Sequence, residues 1–241
     1  MRRIKAIDGD IFRPRGQIAR ELDLAAASPR EVISVLGPRL SEERRARIDS
    51  AIASRTRRLA VAVEGLHDPH NTAAVMRTAD AHGVQDVHII ENGARFQSSR
   101  KVTQGAHKWI DVSVWKTPDT FAARARRDGR RILVADMEGS IPLEEIALDT
   151  PTTLVFGNEA EGITGRMREL ADGAFRVPMY GFVESLNVSV AAAIAIAELR
   201  RGGQGDLPEE EALELKARFY LRAVRAGYDI VMIERERSNT V

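Results

Sequence analysis

The chain has 241 residues, no cysteine, a net charge of +1 and an apolar share of 44%. That is enough for one ordinary domain with appendages, and it excludes a disordered chain and a polycation. Without thiols there are no disulfides or thiolate metal sites, which fits a reducing cytoplasm.

Residues 1–40 carry scattered proline and glycine between short apolar pieces, the pattern of an irregular extension with a short helix or two. The start, MRRIKAIDGDIF, is basic but no apolar run follows it, so no secretory signal is expected. Ser41, followed by Glu42 and Glu43, is a helix start; residues 41–58 read as an Arg- and Ala-rich helix with Ile48 and Ile52 on one face. From Leu59 the pattern alternates. LAVAVEG is a strand, 72–82 a helix and VQDVHII a strand. IDVSVW, RILVAD, TTLVFG and AFRVP follow as further strands, with 119–128, 143–147 and 164–171 helical between them. This alternation predicts an α/β fold with a mostly parallel sheet flanked by helices. GxGxxG and GxxxxGK[ST] are absent, which argues against an ordinary Rossmann cofactor site.

Ser185-Leu186-Asn187 opens a helix without charge until Glu198. Its Ser or Asn suits a cap, and a helix apolar all round is expected to be buried all round. The apolar run, 188–199, is too short to cross a bilayer, so no membrane segment is expected. Gly202, Gly203 and Gly205 break that helix, residues 209–226 have helical spacing, and 228–233 reads as a short strand. The five histidines are dispersed without ligand spacing, so no metal site is expected. Arginine is concentrated in 39–58, with seven, and in 124–131, with five. Such clusters suit phosphate contact or, equally, a solvated helix face with mixed ion pairs.

Three segments carry a family resemblance. DPHNTAAVMRTADAHGV (68–84), LVFGNEAEGIT (154–164) and VPMYGFVESLNVSVAAA (177–193) resemble, in order and spacing, the three motifs of the SpoU/TrmH family of SPOUT RNA 2′-O-methyltransferases. The resemblance runs from about Leu59 to Arg201. It implies a deep C-terminal trefoil knot, S-adenosyl-L-methionine as cofactor and a homodimer whose active site is built across two subunits. It also implies a division into an N-terminal extension with a basic, RNA-contacting helix (1–58), a methyltransferase core (59–202) and a C-terminal helical extension (203–241). RNA is the implied partner, in the cytoplasm. The helices flanking the core look more like the tRNA enzymes that act on the D-loop guanosine-18 than like 23S rRNA enzymes. A non-catalytic RNA-binding protein of the same fold is the alternative from another class.

By the same resemblance the catalytic candidates are Arg77, Asn71, Glu159, Ser185 and Asn187. The cofactor candidates are Val155, Phe156, Gly157, Asn158, Gly162, Val177, Pro178, Met179, Ser185, Leu186, Asn187 and Val188. Each also has a plain structural role open to it. Asn71, just after Pro69-His70, suits a helix cap with its side chain available to a neighbouring loop. Arg77 lies about 120° further round a regular helix, where a surface ion pair is the ordinary role. Glu159 and the weaker candidate Glu161 suit a solvated turn, which Gly157 and Gly162 shape. A guanidinium does not readily lose its proton, so Arg77 is read as positioning the hydroxyl and stabilising a developing alkoxide rather than as a base.

Overall fold

A strand that is apolar at every position must be covered on both faces, and residues 59–63, LAVAV, are fully buried. They belong to β2 (Thr56–Glu64), which shares one sheet with β1 (Asp10–Ile11), β3 (Val84–Ile90), β4 (Asp111–Trp115), β5 (Arg131–Ala135), β6 (Ile141–Pro142), β7 (Thr152–Phe156) and β8 (Gly173–Arg176). The computed structural model describes residues 10–11, 27–91, 93, 108–158 and 161–238. Among these the sheet order is β1-β4-β3-β2-β7-β5-β8-β6, antiparallel at β1–β4 and parallel elsewhere. The helices are α1 (Pro29–Leu36), α2 (Glu42–Ala53), α3 (Pro69–Ala81), α4 (Pro118–Arg127), α5 (Gly165–Leu170), α6 (Val188–Leu199), α7 (Glu209–Ala223) and α8 (Gly227–Ser238).

The chain divides into two compact units, with boundaries between Arg55 and Thr56 and between Gly203 and Gln204. The sheet and α3 to α6 form the first. Side chains alternate across a strand, so each strand feeds two cores. Leu59, Val61, Val63, Leu133, Leu154 and Phe156 pack with Val75, Met76 and Ala79 of α3 and Ala192, Ala195 and Ile196 of α6. Ala62, Ile132, Val134 and Val155 face the other way, against Phe121 and Ala125 of α4 and Met167 and Leu170 of α5. The helix starts have local causes. Asp68 accepts from the His70 N–H at 2.8 Å with Pro69 opening α3, and Thr117 accepts from the Thr120 N–H at 3.3 Å with Pro118 opening α4.

The second unit holds α1, α2, α7 and α8. Ser28 and Glu31 form a capping box on α1. Gly205 donates its N–H to the Ala53 carbonyl at 3.2 Å, an approach that leaves no room for a side chain. Arg55 lies over the Phe219 ring at 5.6 Å, and Lys216 pairs with Asp49 at 2.6 Å.

Four expectations are corrected. The helix expected over 41–58 ends at Ala53, because Thr56, Arg57 and Arg58 already belong to β2. The strand expected at 228–233 is the first half of α8, which buries Val231 and exposes Ile233; a short apolar run suits either element. Residues 143–147 supply only a single 3-10 turn, Leu143–Glu145. Helix α6 is not covered all round: Val190 is 46% and Ile194 39% exposed, one turn apart, with Ala197 exposed beyond them. Much of the clustered arginine is also engaged internally. Arg57 pairs with Asp86 and, at 2.8 Å, with Asp111, and Arg130 reaches Asp86 at 3.1 Å. Arg124 pairs with Asp128 at 2.7 Å, and Arg126 and Arg131 donate to the Leu170 and Ala147 carbonyls.

His88 on β3 is half-buried beside Trp115 and Phe121, and the Trp115 indole N–H donates to its Nδ1 at 3.3 Å. Loss of hydration, with Arg130 and then Arg124 adding to it, pushes its pKa from 6.5 down to about 3. The unfolded chain therefore binds a proton below pH 6.5 that the folded chain refuses, so stability decreases as the pH is lowered from 6.5 toward about 3. The limiting slope is about 1.4 kcal/mol per pH unit. Urea unfolding between pH 6.5 and 5 is expected to show this loss, and His88→Gln is expected to flatten it.

Candidate active site

Strands β2, β7, β5 and β8 are neighbours and parallel, so their carboxyl ends share one edge of the sheet. In open parallel sheets that edge is where ligand crevices form, because the loops leaving it are polar and cannot be buried. A pocket of about 670 Å³ lies there. After β5 it is lined by Ala135, Asp136, Met137 and Glu138, and after β7 by Phe156, Gly157, Asn158, Glu161, Gly162 and Ile163. Arg168 of α5, Val177, Met179, Ser185 and Leu186 after β8, and Val188 and Ala191 of α6 complete it. The volume is of the size that takes a small-molecule ligand or cofactor.

The turn after β7 is tightly pinched. Asn158 Oδ1 accepts from the Glu161 N–H at 2.6 Å, and the Asn158 carbonyl accepts from the Gly162 N–H at 3.0 Å. Gly162 takes φ +67°, and a Cβ on Gly157 would overlap the Gly162 carbonyl, so both glycines are required by the geometry. Across the pocket Asp136 forms an ion pair with Arg168 and accepts from the Glu138 N–H at 3.0 Å.

The first and third motif segments meet through an amide pair. Asn187 is the cap of α6: its Oδ1 accepts from the N–H and hydroxyl of Ser189 at 2.9 and 2.6 Å. Its Nδ2 donates to Asn71 Oδ1 at 3.2 Å. Asn71 is therefore not the cap of α3, a position that Asp68 takes; its side chain is instead the link to the neighbouring loop.

Of the other candidates, Ser185 lines the pocket and Glu159 lies outside the described residues. Arg77 is exposed and lines a second, more open groove with Ala74 and Thr78 of α3 and Ala193, Ile194 and Ala197 of α6. It does not line the first pocket. Phe156, Gly157, Asn158, Gly162, Val177, Met179, Leu186 and Val188 do line it, whereas Val155 faces the α4–α5 core and Pro178 and Asn187 are not part of the wall. Residues 135–138 and Arg168 were not anticipated. The signal available for the former was Asp136-Met137-Glu138-Gly139 directly after a buried parallel strand.

The chain is similar to known proteins over this same region. The SpoU rRNA Methylase family matches residues 58–197. The tRNA (guanosine(18)-2'-O)-methyltransferase of Escherichia coli (strain K12) is 36% identical over 166 residues, 68% of this chain and 72% of that protein. The protein of the same name from Thermus thermophilus is 37% identical over 164 residues, 67% of this chain and 84% of that protein. Among solved structures, the A. aeolicus TrmH/SpoU tRNA modifying enzyme aligns with a TM-score of 0.67 at 30% identity, covering 76% of this chain and 98% of that one. The AdoMet-bound rRNA methyltransferase from Sinorhizobium meliloti aligns at 0.54 and 25% identity, over 60% and 56%. The family match spans more than half of the chain and takes in the parallel strands from β2 to β8, the pocket and the Asn71–Asn187 junction: the chain belongs to the SpoU methylase family.

Proposed function

We propose that this protein methylates the 2′-hydroxyl of a ribose in tRNA, at guanosine-18 of the D-loop, with S-adenosyl-L-methionine as donor. The observation that carries this reading is the convergence of the three motif segments. The second and third build one pocket, and the third is tied to the first by the Asn187–Asn71 bond. The tRNA substrate is favoured over rRNA because the E. coli, T. thermophilus and A. aeolicus proteins, of which this chain covers 72%, 84% and 98%, are named as tRNA enzymes.

The pocket's composition fits the cofactor. Ile163, Val177, Met179 and Leu186 offer apolar walls for a flat base, and Asn158, Ser185 and Glu138 offer polar groups for a ribose and an amino-acid end. The bound cofactor supplies an activated sulfonium methyl, so the protein's own work is orientation and proton management. Gly157, Asn158 and Gly162 keep the turn tight, so that its backbone forms the wall of the pocket. Asn187 and Asn71, each fixed by the other, keep the mouth of α6 in register with α3. Glu159 and Ser185 are assigned hydrogen-bonding roles toward substrate and cofactor.

Arg77 faces the groove beside the exposed Val190–Ile194 stripe rather than the pocket. We assign that face to a second copy of the chain, which covers the apolar stripe and completes the active site across the dimer. Arg77 then holds the ribose hydroxyl and an adjacent phosphate and stabilises the alkoxide as it forms. Helix α2, which carries Arg44, Arg45 and Arg47 beside Glu42, Glu43 and Asp49, is assigned to RNA contact, the C-terminal helices α7 and α8 to the dimer or RNA side, the segment between β7 and α6 to a trefoil knot, and the protein to the cytoplasm.

Incubation with labelled S-adenosyl-L-methionine and tRNA is expected to give an alkali-stable ribose methyl at guanosine-18. Label in rRNA alone would favour the rRNA reading, and no label in either would leave an RNA-binding protein. Arg77→Ala is expected to lower turnover about 100-fold or more. Arg77→Lys is expected to recover little of it, since an ammonium cannot make the two-pronged contact; near-normal turnover in that variant would refute the positioning role. Ile194→Glu is expected to convert a dimer into a monomer by sedimentation and to remove activity with it.

A further inference from the structure

The most unusual group in the first unit is a carboxylate that lines neither the pocket nor the groove described above. Glu64 ends the otherwise apolar part of β2 and is only 1% exposed. A carboxylate in such a place is costly unless its oxygens are hydrogen-bonded. Thr164 serves both: it donates its backbone N–H to Oε2 at 3.1 Å and its hydroxyl to Oε1 at 2.6 Å. The same hydroxyl accepts from the Met167 N–H at 3.2 Å and so caps α5.

The position of this contact matters more than its strength. The parallel register sets Val63 beside Phe156, so β2 and β7 end side by side. The chain leaves the sheet at Phe156, makes the pinched turn and comes back to the end of β2 at Thr164. Its departure is fixed by the sheet, and Glu64 fixes its return. Between those two points lie Gly157, Asn158, Glu161, Gly162 and Ile163, all of them pocket wall. Capping α5 needs only a lone pair of the Thr164 hydroxyl; the bond to the carboxylate is an additional constraint, on the turn.

We propose that Glu64 and Thr164 act as positioning residues for the methyl-donor pocket, holding Gly157, Asn158, Glu161, Gly162 and Ile163 in their binding shape from behind the wall. This rests on the functional reading of the pocket given above. Fixing a wall before the ligand arrives raises affinity by sparing the cost of ordering it on binding.

The test is calorimetric titration of the full chain with S-adenosyl-L-homocysteine, together with KM and kcat for the methyl donor, in Glu64→Gln, Thr164→Val, Thr164→Ser and the Glu64→Gln/Thr164→Val pair. Glu64→Gln and Thr164→Val are each expected to raise Kd and donor KM about tenfold, with kcat at saturating donor within about threefold. Thr164→Ser keeps both donors and is expected to bind within about twofold of wild type. Because the two residues share the same hydrogen-bonded junction, the loss in the pair is expected to be smaller than the product of the two single losses. Melting curves establish the folded fraction of each, and Thr164→Val against Thr164→Ser decides the matter should Glu64→Gln not fold. Wild-type affinity in folded Thr164→Val, or losses that multiply in the pair, would overturn the clamp. A wild-type chain that takes up no S-adenosyl-L-homocysteine overturns the function assigned to the pocket, and the clamp with it.

Discussion

The register between β2 and β7 is the constraint on which the rest of this structure depends. Leu59 to Val63 lie beside Thr152 to Phe156, residue for residue, and this brings the end of the first motif strand level with the start of the second motif turn. A slip of one residue would turn Leu59, Val61 and Val63 out of the α3–α6 core and put Ala60 and Ala62 in their place. Residues 59–63 and 152–156 are buried on both faces of the sheet, so both cores resist that slip together. The pocket is therefore located by strand pairing, and its loops inherit their position from it.

The order of the strands adds a second constraint. β7 lies between β2 and β5, and β8 between β5 and β6, so each later strand enters between two laid down before it in the sequence. Every wall of the pocket leaves one of these central strands or the helix that follows. A site made this way consists of distant contacts and cannot exist until the middle of the sheet is filled. Such topologies close slowly, because the entropy of long loops is spent before the contacts form. What is gained is rigidity: the turn after β7 stands on a fully buried strand, and the cap of α6 on a helix whose inner face, Ala192, Ala195 and Ile196, is packed in the core.

Much of this was legible in the sequence, and what was not has identifiable physical causes. The strands of the core could be read because a doubly covered strand has to be apolar throughout, and the helices because proline and a capping side chain mark their starts. The 228–233 run could not be decided, since Tyr228, Ile230, Val231 and Ile233 satisfy a strand and a helical turn equally. Asn71 was misplaced by one function: Asp68-Pro69 already supplies the cap, and this frees the Asn71 amide for Asn187, a partner remote in sequence that no local pattern discloses. Helix α6 was expected to be covered on all sides because periodicity reports only polarity. An apolar face awaiting a partner reads the same as one already buried. The pocket segment after β5 carries no motif and is found only by knowing which strands are neighbours.

Charge is where composition misleads most, and the structure shows why. Asp86 and Asp111 stand side by side on β3 and β4, a like-charge pair that would strain the sheet if left alone. Arg57 bridges both, and Arg130 adds a second cation to Asp86, so these two arginines are consumed in neutralising the amino-terminal edge of the sheet. Arg58, Arg126 and Arg131 are turned onto backbone carbonyls for similar local reasons. Arginine counted from the sequence thus overstates the charge available to a polyanion. Any phosphate-binding surface must be assembled from the arginines that remain outside these networks. Its affinity should then depend on salt through a small number of contacts rather than through the whole basic complement of the chain.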